Sequence, residues 1–399
     1  MAQAHAKVGT PHLFSALIAC GFAAAILFAG RMIAIRLEHS TLPLAAFDAF
    51  PLKNQGVAFQ RAAAHARDVL PLYGSSEVAM GPIPKRAGQF FRTAPTGFQV
   101  SPVGKAGATS MIILQKLGAL GSDLRGKKVA ISLSPSWFFV PTVSPYWYEG
   151  NFSLFAASEI TFGSALDFEL KRDIASRMLQ FPRTLAESPL LEFALERLAS
   201  GRWLDRAVFC ALWPIGKTQN TILDLQDHFA ALVYILHEAK SAPPRHPATL
   251  DWPKLIAEAG EGKVAAEGKN GKASSANEQI VPGSRDALFI VHVNAAREWM
   301  DLELLLRTLT KIQARPLLLS MPMDGQHYDQ VGISRSAREV YYKKIRAAAQ
   351  RYNFALVEFE EHDNDPTFSY QKGFHLTAKG WMFYNRVLDD FFHERVPRT

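Results

Sequence analysis

An almost charge-free run from Leu13 to Gly30 sets the strongest constraint on what this 399-residue chain can fold into. Its length matches the hydrocarbon core of a bilayer, and a segment in lipid must satisfy its backbone hydrogen bonds internally, as a helix does. A cleaved signal peptide and a buried core helix are the alternatives. The run is long for the apolar part of a signal peptide, and no clean Ala-x-Ala cleavage site follows it. The sequence therefore predicts that residues 1–36 form a single-pass membrane anchor.

Charge and cysteine content restrict the partners and cofactors of the rest of the chain. The net charge is +7 with a pI near 9.3, which suits an anionic partner such as lipid head groups or a phosphate-rich polymer. No Lys/Arg block stands out, so nucleic acid is not expected as a partner. Only two cysteines occur, Cys20 and Cys210, and the histidines show no metal-binding spacing. We therefore expect neither a metal nor another cofactor.

The segment 37–399 alternates short apolar runs with amphipathic stretches, which predicts a doubly wound α/β domain around a parallel sheet. Apolar periodicity of three and four residues makes 159–247 a mostly helical insertion. The segment 257–284 is rich in Ala, Gly, Glu and Lys and predicts a flexible loop. The predicted strands are Asp68–Leu72, Lys127–Leu133, Ala287–Val293, Pro316–Met321 and Ala355–Glu358.

A turn of small residues, Gly74-Ser75-Ser76, follows the first predicted strand. Gly74 permits a tight turn, and such a turn can hold a serine hydroxyl exposed above a sheet edge. The G-x-S-x-G pattern of a nucleophile elbow is absent. Taken alone, a Gly-Ser-Ser sequence is more often only a turn.

Two further loops carry polar or small residues near strand ends. In open parallel sheets, ligand sites form beyond the carboxyl ends of the strands. The segment Gly104–Ser110 opens an apolar helix with small residues, whose backbone N–H groups can stabilise an oxyanion. Taken alone, the segment is better explained by helix capping through Thr109 or Ser110. The segment Ser134–Phe138 follows the strand Lys127–Leu133, and its aromatic side chains favour a role in the core.

Five segments, taken together and in order, resemble the DltD family, membrane-anchored proteins of the D-alanylation system for cell-envelope polymers that are similar to SGNH-type esterases. Each segment alone is weak, but their common order along the chain is fairly specific. The segments are Gly74–Glu77, Gly104–Ser110, Ser134–Phe138, Pro322–Asp329 and His375–Trp381.

The resemblance implies an SGNH-like fold, a role for each site residue and a set of partners. Ser76 aligns with the nucleophile, His375 with the general base, and Gly107 with an oxyanion donor beside the Ser76 backbone N–H. Ser136 and Trp137 fall in the substrate-binding loop. The implied partners are a membrane O-acyltransferase, a D-alanyl carrier protein and an anionic envelope polymer such as a teichoic acid.

Two positions depart from the family pattern. Lys372 stands where the family usually has an aspartate three residues before the histidine, and Ser136 replaces a glutamine. Lysine only donates hydrogen bonds and cannot orient an imidazole as a carboxylate does. The nearest upstream carboxylates are Asp363 and Asp365, and we expect Asp365 to be the better candidate for the triad acid. A Ser-His dyad with a backbone carbonyl partner is the alternative.

Three functions follow from the sequence. The first is a serine acyltransferase or esterase that transfers D-alanyl groups through a Ser76 acyl-enzyme. The second is a non-catalytic accessory protein that recruits the carrier protein or the membrane acyltransferase, and the third is a related SGNH polysaccharide O-acetyltransferase or esterase. The resemblance places the 37–399 domain outside the cytoplasm, on the inner membrane. The charges that flank the anchor, Lys7 before it and Arg31 and Arg36 after it, do not favour that orientation.

Overall fold

The computed structural model of the chain describes residues 11–238, 248–261 and 280–396. Five parallel strands form its main sheet, in the spatial order β2-β1-β3-β4-β5, and two short strands pair antiparallel beside it. The strands are β1 (Val69–Gly74), β2 (Gln99–Gly104), β3 (Lys128–Leu133), β4 (Arg315–Ser320), β5 (Ala355–Glu358), β6 (Ser369–Tyr370) and β7 (His375–Leu376).

Helices surround this sheet and extend from it. Those before residue 200 are α1 (Pro11–Ala45), α2 (Pro51–Gln55), α3 (Ala58–His65), α4 (Ala87–Thr93), α5 (Ser110–Leu120), α6 (Pro145–Glu149), α7 (Leu154–Phe162), α8 (Phe168–Met178), α9 (Pro182–Leu185) and α10 (Pro189–Ala199). The later ones are α11 (Trp203–Glu238), α12 (Trp252–Glu261), α13 (Asp286–Ala295), α14 (Glu298–Lys311), α15 (Gly325–Gln330), α16 (Arg335–Tyr352) and α17 (Ala378–Phe392).

The sheet is buried on both faces. Successive strand residues point to opposite faces, and each face packs against its own hydrophobic cluster. In β3, Val129 and Ile131 join one hydrophobic cluster, with α5, α14 and α16, while Ala130 joins a second cluster with α4 and α17. In β4, Leu318 and Leu319 divide between the two clusters in the same way. The predicted parallel α/β architecture is therefore confirmed, as three layers with the sheet in the middle.

The N-terminal helix α1 has two parts. From Leu13 to Gly30 its side chains are exposed, and within the described residues the stretch Leu13–Leu42 is the one helix long and apolar enough to cross a membrane. Beyond Arg31 the same helix packs into the domain, where Ala34, Leu42 and Ala45 are buried. The helix therefore continues past the predicted anchor boundary at residue 36.

The predicted strand Ala287–Val293 is wrong, because these residues form helix α13. Short apolar runs do not distinguish strands from helices by periodicity. Here only Phe289 and Val293, four residues apart, are buried, as on one side of a helix. The structure also adds strand β2, which the sequence did not reveal because Pro102 interrupts it. Proline is tolerated there because β2 is an edge strand.

The predicted insertion 159–247 is mostly helical where it is described, with short turns between the helices from the end of α7 to α11, and residues 239–247 lie outside the described residues. The predicted flexible loop 257–284 agrees less well with the structure. Its first five residues, 257–261, form the end of α12, residues 262–279 lie outside the described residues, and 280–284 form a turn.

Candidate active site

The strand order brings three loops to one edge of the sheet. β2 lies on one side of β1, whereas β3 and the later strands lie on the other side. In open parallel sheets, a crevice forms at the carboxyl ends of the strands where the strand order switches sides in this way, here between β1 and β3. The Gly74-Ser75-Ser76 turn follows β1, the Lys105–Gly107 loop follows β2, and the segment from Ser134 follows β3. These are the loops that the sequence singled out.

Ser76 and His375 form the central contact of this crevice. Ser76 begins a single turn of 3₁₀-helix directly after β1 and is half-buried, and His375 lies on β7. The Nε2 atom of His375 is 3.1 Å from the Ser76 Oγ. Burial lowers the pKa of His375, so its imidazole is neutral at neutral pH and Nε2 can accept a proton.

The second ring nitrogen of His375 contacts a glutamine. The Gln371 Oε1 atom lies 2.7 Å from His375 Nδ1. An amide oxygen only accepts, so this contact places the proton on Nδ1 and leaves Nε2 free to act as acceptor toward Ser76. Gln371 therefore occupies the orienting position that a carboxylate holds in a Ser-His-Asp triad.

A hairpin turn puts Gln371 in that position. β6 and β7 pair antiparallel, with Tyr370 opposite His375, and residues 371–374 join them. Gln371, Lys372 and Gly373 all have positive φ angles, of 52°, 63° and 85°. A left-handed backbone conformation is unfavourable for residues other than glycine. The turn is therefore constrained, and it folds the Gln371 side chain back onto His375.

The structure does not bring Asp365 to His375. The Asp365 carboxylate accepts hydrogen bonds from the Lys379 Nζ at 2.7 Å and from the Thr367 backbone N–H at 2.9 Å. Asp363 is likewise committed elsewhere, since it accepts from the Tyr342 hydroxyl at 2.6 Å. Both carboxylates thus hold the loop after β5 together.

The charge of Lys372 acts on another histidine, His327. Burial first, and then the positive charge of Lys372, lower the pKa of His327. Burial is the cause of the lowered pKa of His375, and the charge of Lys372 is not among its causes. A dyad with a backbone carbonyl was the other expectation, and Gln371 replaces that carbonyl with a side-chain amide.

Gly107 is next to Ser75. The Gly107 backbone N–H donates to the Ser75 Oγ at 3.1 Å, and the Ser75 hydroxyl lies 3.4 Å from the Lys105 carbonyl oxygen. Gly107 has a φ of 87°, and a Cβ there would lie 2.3 Å from the Trp147 ring. Only glycine fits this close approach, and its N–H thereby faces the serine turn.

Glu77 stabilises the Gly74-Ser75-Ser76 turn through a hydrogen bond. Its carboxylate accepts from the Ser75 backbone N–H at 2.8 Å. Burial raises the pKa of Glu77 to about 7, although the hydrogen bonds from Ser75 and from the Ser132 side chain lower it. The group is almost completely inaccessible, and its hydrogen bond holds the turn.

Ser136 and Trp137 lie on the third loop. The Ser136 hydroxyl is 2.9 Å from that of Ser134, and the Trp137 ring meets the Trp147 ring edge-to-face at 6.1 Å between centroids. Together with Phe374 they line a cavity of about 450 Å³ that opens onto Ser76 and His375. A cavity of this size suits a small ligand or the end of a longer one.

Sequence reasoning missed several of these residues. Gln371 carries no signal, because an amide in a short hairpin does not resemble a triad acid. Trp147 belongs to a segment without a recognisable motif, and Phe374 directly precedes the His375–Trp381 segment without being assigned a role. Among the residues that the structure describes, no group of three or more His, Cys, Asp or Glu side chains is placed to hold a metal ion.

Comparison with known proteins identifies the family of this chain. The profile of the family described as "DltD protein" matches residues 48–393. The chain is 25% identical over 360 residues to Protein DltD of Bacillus subtilis (strain 168), across 86% of this chain and 87% of that protein. It is 23% identical over 328 residues to Protein DltD of Staphylococcus aureus (strain NCTC 8325 / PS 47), across 80% of this chain and 79% of that one. The chain therefore belongs to the DltD family.

Proposed function

We propose that the protein is a membrane-anchored serine acyltransferase or esterase of SGNH type, which moves D-alanyl groups to an anionic cell-envelope polymer. The observation that carries this proposal is the 3.1 Å contact between His375 Nε2 and Ser76 Oγ. A serine hydroxyl is a weak nucleophile until a neighbouring base takes its proton. The pairing of a half-buried serine with a neutral imidazole supplies that base.

The first half of the reaction forms an acyl-enzyme. The Ser76 Oγ attacks the carbonyl carbon of a D-alanyl ester or thioester while His375 Nε2 takes the hydroxyl proton. The tetrahedral intermediate collapses when the bond to the donor's oxygen or sulfur breaks, and His375 returns the proton to that leaving group. The D-alanyl group is then esterified to Ser76.

The second half regenerates the enzyme. A hydroxyl of the acceptor polymer gives its proton to His375 and attacks the acyl carbon, and the Ser76 oxygen leaves and regains the proton. With water in place of the polymer hydroxyl, the same steps hydrolyse the ester. The cavity beside Trp137 and Phe374 supplies space for donor and acceptor ends.

The backbone N–H groups of Ser76 and Gly107 are the proposed oxyanion donors. The Gly107 N–H contacts the Ser75 hydroxyl, which can satisfy this donor until an oxyanion forms. Preorganised backbone donors of this kind typically contribute about 10²–10³-fold to the rate. Ser75 is thus a positioning residue, while Ser76 is the nucleophile.

Family membership, not geometry, supports the D-alanyl group, the carrier protein and the membrane O-acyltransferase as partners. The net charge of +7 supports an anionic polymer as acceptor. The exposed apolar stretch of α1 supports a single-pass location in the inner membrane, with the domain outside the cytoplasm. No cofactor enters the proposed mechanism.

An accessory role without catalysis is the second candidate, because the third group of the site is a neutral amide and not a carboxylate. Complementation separates the two. The D-alanine ester content of the envelope is measured in cells that lack the gene and carry the wild-type protein, Ser76→Ala or Ser75→Ala at equal abundance. We expect Ser76→Ala to match the deletion and Ser75→Ala to retain activity. Full ester content with Ser76→Ala would favour the accessory role.

A further inference from the structure

A reverse turn closes the loop after β2 and contains Gly107. The Ala108 backbone N–H donates to the Lys105 carbonyl oxygen at 3.1 Å, so residues 105–108 are the four residues of this turn. Gly107 has a φ of 87°, whereas Ala106 is not among the residues with a positive φ. A positive φ at the third residue alone defines a type II turn.

The type of this turn decides where the Gly107 N–H points. Types I and II differ by about half a rotation of the central peptide, here the one between Ala106 and Gly107. Because this peptide is trans, its C=O and N–H bonds point in opposite directions. In the type II turn the Gly107 N–H faces the Ser75 Oγ at 3.1 Å. A type I turn would point it away from Ser75.

The side chain of Asn151 holds the other end of the same peptide. Its Nδ2 atom donates to the Ala106 carbonyl oxygen at 2.9 Å and to the Trp147 carbonyl oxygen at 2.9 Å. Carbonyl oxygens only accept, so both contacts identify this atom as the amide nitrogen. Both of its N–H bonds are thus used within the protein, and Asn151 is buried. Asn151 therefore fixes the direction of the Ala106 carbonyl.

Further contacts fix the segment 147–151 against the turn. The Lys105 Nζ donates to the Gly150 carbonyl oxygen at 2.8 Å. The Trp147 ring packs so closely on Gly107 that a Cβ there would lie 2.3 Å from it. With the hydrogen bond from the asparagine, this segment contacts three consecutive residues of the turn.

The turn sequence alone does not select the type II orientation. Glycine adopts positive and negative φ about equally well, so Ala106-Gly107 is compatible with both turn types. A flipped peptide would leave one N–H of the buried Asn151 amide unpaired, which is unfavourable. The hydrogen bond to the Ala106 carbonyl also polarises the peptide, and this makes the Gly107 N–H a stronger donor.

We propose that Asn151 is a positioning residue for the acyl transfer, which holds the Ala106–Gly107 peptide so that the Gly107 N–H is directed at the oxyanion. The inference rests on the proposed function, in which this N–H stabilises the tetrahedral intermediate. It assigns to Asn151 a contribution to the rate, and not to stability alone.

Time courses of fluorophosphonate labelling test this role, because the phosphoryl oxygen of the probe takes the place of the oxyanion. The full-length protein carries Asn151→Asp, which keeps the size of the side chain but has no N–H bond, or Asn151→Ala. We expect the maximal rate constant of Ser76 labelling to fall by about 10²-fold in both variants, the effect of one lost oxyanion donor. The probe concentration at half-maximal rate and the final labelled fraction should stay close to the wild-type values.

Ser153→Ala is the matched control. Ser153 lies two residues further along the chain, donates to the Gln55 carbonyl oxygen at 2.6 Å and caps α7, so its hydrogen bonds lie outside the turn. The variant should lower the melting temperature, because the helix loses its cap. It should leave the rate constant of labelling unchanged.

Three outcomes would overturn the inference, and they separate it from the proposed function. Labelling of both Asn151 variants at the wild-type rate would overturn this inference alone. A reduced labelled fraction at an unchanged rate, or unfolding of both variants at the assay temperature, would assign Asn151 to stability and likewise overturn it. The absence of any adduct on the wild-type protein would overturn the proposed function, and this inference with it.

Discussion

The imidazole of His375 lies between a hydroxyl and an amide, and this asymmetry defines the site at the level of single residues. A carboxylate in the position of Gln371 would both fix the tautomer and stabilise the imidazolium that forms during the reaction. The amide oxygen does the first and contributes less to the second, because it carries no full charge. The site should therefore work with a histidine whose pKa stays low.

Replacing Gln371 should change the pH dependence of the site. In the wild-type protein, the labelling of Ser76 by a fluorophosphonate should rise with pH through a pKa below 6.5 and then level off, because only neutral His375 accepts the proton. Gln371→Asp adds a negative charge beside the ring and should move this rise upward by about one pH unit or more.

Gln371→Leu removes the acceptor and should slow labelling by about 10²-fold, the lower range for a positioned proton-transfer group. Lys372→Gln, one residue further along the same turn, is the matched control and should behave like wild type. An unchanged rate and pH profile in Gln371→Leu would show that the amide has no role.

Glu77 should couple stability to pH. Its pKa is raised from 4.5 to about 7 in the folded protein, so folding favours the protonated carboxyl. The associated stability is fully present below about pH 4.5 and is lost as the pH rises through 7. Glu77→Gln, which keeps an oxygen acceptor for the Ser75 N–H, removes this dependence.

The difference in unfolding free energy between Glu77→Gln and wild type should grow between pH 4.5 and 7, on the order of 3 kcal/mol in favour of the variant. Urea unfolding at several pH values measures it. Parallel stability curves for the two proteins would show that the carboxyl does not titrate in this range.

At the level of elements, the β6–β7 hairpin and helix α17 together hold His375 in place. Thr377 directly follows β7 and caps α17, since its Oγ1 accepts from the Gly380 backbone N–H at 3.2 Å and donates to the Phe368 carbonyl at 3.0 Å. Trp381, Tyr384, Leu388 and Phe391 are the buried stripe of α17, as their spacing predicts. One threonine thus links the hairpin to the helix.

Thr377→Ala should lower the free energy of unfolding by about 1–2 kcal/mol, because the helix loses its N-terminal cap. Thr377→Ser keeps the oxygen and should lose much less. Equilibrium unfolding of the two variants under identical conditions measures the difference. If alanine and serine are equally stable, the cap contributes nothing.

The sequence predicts best those elements in which the buried residues follow a continuous run or a helical spacing. β1, β3 and β4 are continuous apolar runs in the middle of the sheet, β5 is a short apolar run at its edge, and α17 has a clear cap and stripe. Pro102 breaks the apolar pattern of β2, so the sequence gives no strand signal there, and the short apolar run of α13 fits a strand as well as a helix. The contact of Gln371 with His375 depends on a tight hairpin that no periodicity encodes.

At the level of the whole molecule, α1 is one helix from the proposed membrane span into the domain. The ion pair between Arg31 and Asp224 lies where the exposed apolar stretch ends, and Arg61 also contacts Asp224, at 3.0 Å. The domain is therefore held directly at the end of the span. The charge-free apolar run predicts the span but not these contacts, which join residues 193 and 163 positions apart.

The proposed topology has a direct test in the two cysteines. Cys210 lies on the exposed surface of α11, and Cys20 lies within the apolar stretch of α1. In cells with a permeabilised outer layer and an intact inner membrane, a membrane-impermeant maleimide should label Cys210 and leave Cys20 unlabelled in lipid. Labelling of Cys210 only after the inner membrane is broken would place the domain in the cytoplasm.

Covalent labelling of Ser76 tests the central claim most directly. The purified full-length protein is treated with a fluorophosphonate, and the modified residue is identified by mass spectrometry in wild type, Ser76→Ala, Ser75→Ala and His375→Ala. We predict a single adduct on Ser76, which is absent in Ser76→Ala, retained in Ser75→Ala and formed at least 10²-fold more slowly in His375→Ala. An adduct on Ser75, or no adduct on the folded wild-type protein, would contradict a Ser76 acyl-enzyme.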